Sequence, residues 1–209
     1  EARHKFWNRK IAKKERLYLY KMHVKAGIFD MDKKNKNICF LGHVRKDSGL
    51  DTLIKSLAEI RENQDVALRI IGPKGENHNY FKKISKEYNV EEYVKFLGFV
   101  ERSKLLEVLS DCFCGVNLLI DLNSFSTYTI PGKIITYLQF LLPVIATEGI
   151  GPVASVIKEN KLGLIIEPSQ DAFIDAINEV YANQGQYRKN IVKYINSLPK
   201  INIIELLGI

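Results

Sequence analysis

From Asn37 onward, short apolar runs and segments of helical spacing take turns six times along the chain. The apolar runs are "ICFLGHV" (38–44), "VALRIIG" (66–72), "YVKFLGFV" (93–100), "CFCGVNLLI" (112–120), "PVIAT" (143–147) and "LGLIIE" (162–167). They are apolar throughout, so the strands they form are buried on both faces. Between them, apolar residues recur three and four apart. In "LDTLIKSLAEI" (50–60) Leu50, Leu53, Ile54, Leu57 and Ile60 fall on one stripe, as a core-facing helix requires. The other helical segments are 80–90, 102–111, 132–142, 152–160 and 170–183. Buried strands alternating with helices form a parallel sheet covered on both sides. The pattern predicts an α/β fold: a doubly wound, Rossmann-like parallel sheet of about six strands with flanking helices.

This places the sheet domain at residues 37–185. Residues 1–36 read as a basic helical and linker segment, with Lys33–Asn37 as polar linker, and 186–209 as closing helices. No apolar run approaches the ~18 residues of a membrane span, and no apolar h-region follows the basic N-terminus, so no signal peptide is expected. Cys39, Cys112 and Cys114 lie inside apolar runs. They read as buried thiols of a reducing compartment, and their spacing fits no zinc site. A cytoplasmic location follows, with association at the inner face of the cell membrane as a further option. The net charge is +7. Much of it sits in Arg3, Lys5, Arg9, Lys10, Lys13, Lys14 and Arg16, interleaved with Phe6, Trp7 and Ile11. A membrane surface, nucleic acid or a neighbouring domain would each suit such a helix, and so would plain solvation. The chain begins at Glu1 rather than Met, which suggests a fragment.

In doubly wound sheets the ligand binds beyond the carboxyl ends of the strands, where strand order reverses. With order 3-2-1-4-5-6 that point lies between the first and fourth strands. The first strand runs into "GHVRKDSGLDTLI" (42–54), the fourth into "DLNSFSTYTIPGK" (121–133). Each loop feeds a helix N-terminus, where free N–H groups and the helix dipole favour anions. The first loop contributes Gly42, His43, Arg45, Lys46, Ser48 and Gly49. The second contributes Thr129, Pro131, Gly132 and Lys133. Proline suits a first helical turn, glycine admits close approach, and lysine is a point charge for phosphate. Together the loops suggest a diphosphate pocket.

On these residues the chain resembles the nucleotide-sugar-binding, C-terminal half of GT-B glycosyltransferases, family 4 in particular. The resemblance rests on "FLGHVRKDSGLDTLI", on "VKFLGFVERSKLLEVLSDCFCGVNLL" (94–119) and most of all on "IPGKIITYLQFLLPVIAT" (130–147). It implies a single GT-B half. It also implies transfer of a sugar from a nucleoside diphosphate sugar, UDP-sugar first among them, to an acceptor hydroxyl with retained configuration. Surface polysaccharide or glycan synthesis is the implied setting. Lys133 and Arg45 would stabilise the leaving diphosphate without a cofactor or bound metal. Gly42, His43, Lys46, Ser48, Phe99, Val100, Thr129, Pro131, Gly132, Ile134 and Thr136 would line the donor site. The acceptor would belong to an N-terminal domain missing here, and "KMHVKAGIFD" (21–30) resembles the bridge to it. The sequence departs from the family's pattern at Tyr128 and Thr136, where two glutamates usually stand, and at His43 and Ser48, usually arginine and lysine. Thr136 in place of a ribose-holding glutamate leaves a neutral contact.

Other features carry two readings. His43 is a phosphate donor or an exposed loop histidine. Phe99 and Val100 pack on a base or on the core. "GPKGE" (72–76) touches phosphate or is a strand-to-helix turn; it lacks the ending of a Walker loop. Asp30–Asp32 is a metal-binding pair or a linker turn. Tyr137 reads as core. The functional alternative to an enzyme is a non-catalytic nucleotide-sugar-binding or scaffold subunit. A nucleic-acid module is disfavoured, because no recognition motif or aromatic platform is present.

Overall fold

Six strands of four to six residues lie parallel in one sheet: β1 (Asn37–Leu41), β2 (Ala67–Ile71), β3 (Val94–Gly98), β4 (Cys112–Asn117), β5 (Val144–Thr147) and β6 (Gly163–Ile166). Their order is β3-β2-β1-β4-β5-β6, the order on which the expected site depends. The helices are α1 (Leu50–Ile60), α2 (His78–Glu87), α3 (Leu105–Leu109), α4 (Gly132–Gln139), α5 (Val153–Glu159), α6 (Gln170–Ala182) and α7 (Gln184–Ser197). This computed structural model describes residues 33–73, 75, 77–101, 103–118, 131–148, 150–151 and 153–198.

The sheet is sealed on both faces, as its apolar strands require. On one side α1, α2 and α6 pack Leu53, Ile54, Leu57, Phe81, Phe173 and Ile177 against Ile38, Phe40, Leu68 and Ile70. On the other, α3, α4, α5 and α7 bring Leu109, Ile134, Tyr137, Leu138, Ile157 and Ile191 to Cys39, Val144 and Ala146. All three cysteines are free and buried. Burial raises the Cys39 and Cys114 thiols well above their ordinary range, which keeps them neutral.

The strands are shorter than the apolar runs that announce them. β1 ends at Leu41 because Gly42 turns the chain at φ 141° while its N–H still donates to the Ile71 carbonyl at 2.9 Å. β3 ends at Gly98, with φ 71°. The helix expected over 102–111 contracts to α3, preceded by a turn in which the Lys104 N–H donates to the Glu101 carbonyl at 2.9 Å. Lys33–Asn37, expected as polar linker, is pinned instead. Asn35 is buried and donates through Nδ2 to the Ser110 and Cys112 carbonyls, both at 2.9 Å. Its backbone exchanges two hydrogen bonds with the Gln184 amide, both at 2.9 Å. Arg188 adds a bond to the Lys33 carbonyl at 2.7 Å. The segment entering β1 is thereby fixed to α7.

Candidate functional site

β1 and β4 are neighbours whose following helices, α1 and α4, cover opposite faces of the sheet. Their ladder runs as far as Phe40 opposite Val116. At its end stands Tyr137 of α4. The Tyr137 hydroxyl donates to the Val116 carbonyl at 3.0 Å and accepts from the Leu41 N–H at 2.7 Å. The ring fits because Gly115 has no side chain: a Cβ there would stand 2.3 Å from it. Burial drives the phenol well above its ordinary pKa, so it remains a neutral donor. Tyr137 is core, as expected.

The first loop is folded onto the end of β4. After Gly42, Val44 is buried as an anchor and Lys46–Ser48 form one 3-10 turn. Ser48 spends both its N–H and its hydroxyl on the Arg45 carbonyl, at 3.1 and 2.5 Å. Gly49 caps α1 at φ 67°, and a Cβ on it would lie 2.7 Å from Leu118 Cβ. Both the left-handed backbone and the contact require glycine. Gly75 of "GPKGE" lies beside this loop: its Cβ position is 3.1 Å from the Val44 carbonyl.

The second loop is described from Pro131. Its φ of −60° and ψ of 122° make it the N-cap of α4, and among the described residues no side chain caps the helix. The Ile134 N–H donates to the Pro131 carbonyl at 2.9 Å. Gly132 is exposed, with nothing within 4 Å of its Cβ position among the described residues. Lys133 leans away from solvent. Its Nζ stands 3.4 Å from the Cβ position of Gly42 and 5.3 Å from the centroid of the Phe40 ring. Gly42 of the first loop and Lys133 at the start of α4 therefore meet at the switch point.

Lys133 is electrostatically unsettled. It is half-buried, and among the described residues no carboxylate pairs with it. Desolvation lowers its pKa to about 8. It also sits in the first turn of a helix, where the dipole repels cations. The Phe40 ring offers a cation–π contact worth only about 1 kcal/mol. An anion between Lys133 and the amide groups of α4 would answer all three penalties.

The remaining candidates are placed as follows. His43 is exposed beside Gly42. Arg45 is exposed and gripped by Asp47 in a two-pronged ion pair, Nε to Oδ1 at 2.9 Å. This pairing raises the arginine's pKa and lowers the aspartate's. Lys46 Nζ stands 4.9 Å over the Tyr80 ring. Thr136 returns its hydroxyl to the Gly132 carbonyl at 3.2 Å. Ile134 is wholly buried. Phe99 is 81% exposed just past β3, with β2 and β1 between that strand and β4; Val100 packs on the core. Thr129, Tyr128, Asp30–Asp32 and the basic N-terminus lie outside the described residues. Two cavities lie elsewhere, about 480 Å³ beside β6 and α7, and about 400 Å³ around Lys33–Asn37. In the second, Lys33 is paired with Asp111 and Lys36 with Asp65.

Two residues were not singled out from the sequence. Phe40 is one apolar residue among many, and nothing marks it as the floor under Lys133. Asn117 carried a signal, as the one amide in the apolar run "CFCGVNLLI".

A parallel sheet with this strand order and helices on both faces defines a Rossmann-like α/β domain of the kind that forms one half of GT-B glycosyltransferases. The model of the family described as glycosyl transferases group 1 matches residues 25–197, and the chain belongs to that family. No curated protein matches its sequence. Among solved structures, it superposes on WaaG, described as a glycosyltransferase involved in lipopolysaccharide biosynthesis. The TM-score is 0.65 at 16% identity, over 91% of this chain and 49% of WaaG. Sucrose-phosphate synthase from Thermosynechococcus elongatus gives 0.64 at 19%, over 90% and 48%. Anabaena HepE, solved in complex with UDP and glucose, gives 0.63 at 15%, over 84% and 48%. The chain thus spans about half the length of these proteins.

Proposed function

We propose that this chain is the donor-binding half of a retaining glycosyltransferase that moves a sugar from a nucleoside diphosphate sugar to an acceptor hydroxyl. The observation that carries the reading is Lys133: a half-buried cation with no paired carboxylate among the described residues, held against Gly42 at the N-terminus of α4. A diphosphate supplies the missing negative charge. In the reaction, charge develops on that diphosphate as the sugar leaves. The Lys133 ammonium and the first-turn amides of α4 stabilise it in place, with no metal needed. Membership of the glycosyl transferases group 1 family supports sugar transfer, and the bound UDP and glucose of HepE support a uridine nucleotide as first candidate. The acceptor would be held by a partner domain, and surface polysaccharide or glycan synthesis is the proposed setting.

Thermal unfolding with UDP, GDP, ADP and CMP tests the reading. A binder at a hundred times its dissociation constant adds about 2.7 kcal/mol of stability. A rise in Tm with UDP supports the proposal, and no rise with any nucleotide refutes it.

A second reading is a nucleotide-sugar-binding subunit without turnover. It draws on Arg45, neutralised by Asp47, and on Thr136, whose hydroxyl is spent on its own helix. Transfer by the whole protein decides between the two.

A further inference from the structure

Asn117 closes β4 at 1% exposure, yet neither its amide nitrogen nor its carbonyl oxygen has a hydrogen-bond partner among the described residues. Buried carboxamides are nearly always satisfied, so an orphan at this depth calls for a partner the ligand-free chain lacks. Its direction follows from the strand. Side chains alternate between faces. Gly115 faces the Tyr137 ring, so Asn117 faces α4 as well, ~6.6 Å nearer the carboxyl end of the sheet. Lys133 precedes Tyr137 by one helical turn, ~6 Å along α4. That displacement runs the same way, because Lys133 reaches Gly42 beyond the end of β1. The amide therefore stands beside the first turn of α4, the turn that carries the lone cation.

We propose that Asn117 is the hydroxyl-reading residue of this site: its carboxamide pairs with a hydroxyl of the nucleoside diphosphate sugar whose diphosphate Lys133 holds. This rests on the donor-site reading. A carboxamide presents a donor and an acceptor side by side, and a hydroxyl is likewise both. A phosphate oxygen only accepts and would leave Oδ1 orphaned. The ribose and the transferred sugar both carry such hydroxyls, and Asn117 serves no other partner among the described residues.

Calorimetry with UDP and with UDP-glucose, on the wild type and on Asn117→Leu, tests this. The leucine variant, relieved of an orphan amide, is expected to unfold at a higher temperature without ligand and to bind at least tenfold more weakly. A loss with UDP assigns the contact to the ribose; a loss confined to UDP-glucose assigns it to the sugar. Unchanged affinity for both overturns the role of Asn117 and leaves the donor site standing. A wild type that binds neither ligand sinks the donor site and this proposal with it. Should the leucine variant not fold, Asn117→Asp carries the test. A carboxylate beside Lys133 raises that lysine's titration above its starting point near 8, read by NMR of labelled lysine side chains. An unmoved titration puts Asn117 away from the lysine and overturns the proposal.

Discussion

A single side chain concentrates the chemistry of this molecule. Lys133 keeps a charge that desolvation, the helix dipole and the lack of a paired carboxylate among the described residues all disfavour. Such a group weakens the ligand-free fold. Its pKa is about 8 when folded and about 10.4 when unfolded. Between those values the unfolded chain binds more protons, so this group makes stability rise with pH from about 8 upward. Replacing a buried charge with an apolar residue of similar volume is often stabilising. Lys133→Met is therefore expected to stabilise the ligand-free protein by about 1–2 kcal/mol at pH 7, with a smaller gain at pH 9.5. Urea unfolding at the two pH values measures this, and a destabilised methionine variant would place the lysine's role in the fold itself. The lysine was legible in "IPGKII" as a cation at a helix start. Its contact with Gly42 was legible only through topology, and the Phe40 floor not at all.

Among the elements, α4 and β4 frame the site. Tyr137 ties Leu41 and Val116 together through one hydroxyl. Tyr137→Phe leaves a buried carbonyl and an N–H short of a partner, and should cost about 1–3 kcal/mol in chemical denaturation. Gly115→Ala drives a methyl into the Tyr137 ring and should cost about 1–3 kcal/mol by overpacking, with UDP affinity falling as α4 is pushed outward. Sequence patterns gave every strand and helix its place but overran several ends. Val44 and Val100 are apolar for reasons of their own, one a loop anchor and the other a packing residue beyond β3. Apolar runs cannot separate such residues from strand. Asn35 reads as a linker residue, and Gln184 as one polar residue between the helix expected at 170–183 and the tail. Their pairing depends on backbone groups more than a hundred residues apart in sequence, which no local pattern encodes.

At the scale of the molecule, the expected strand order is the observed one, and it alone brings Gly42 and Lys133 together. Apolar strands and short right-handed connections restrict the topology so tightly that the switch point follows from the order of elements. The details of the cleft do not, because side-chain direction depends on contacts across the sheet. Arg45 shows this: its charge is plain in "GHVRKDSG", but Asp47 two residues on takes it up.

The account stands on an anion held by Lys133, and calorimetric titration of UDP between pH 7 and pH 9.5 tests that most directly. Affinity is expected to fall by up to tenfold per unit as pH rises past about 8, where the free lysine loses its proton. In Lys133→Ala the affinity should be at least tenfold weaker, about 1.4 kcal/mol, and without that pH dependence. A Lys133→Ala protein that binds UDP as tightly as the wild type, with the same pH profile, would contradict it.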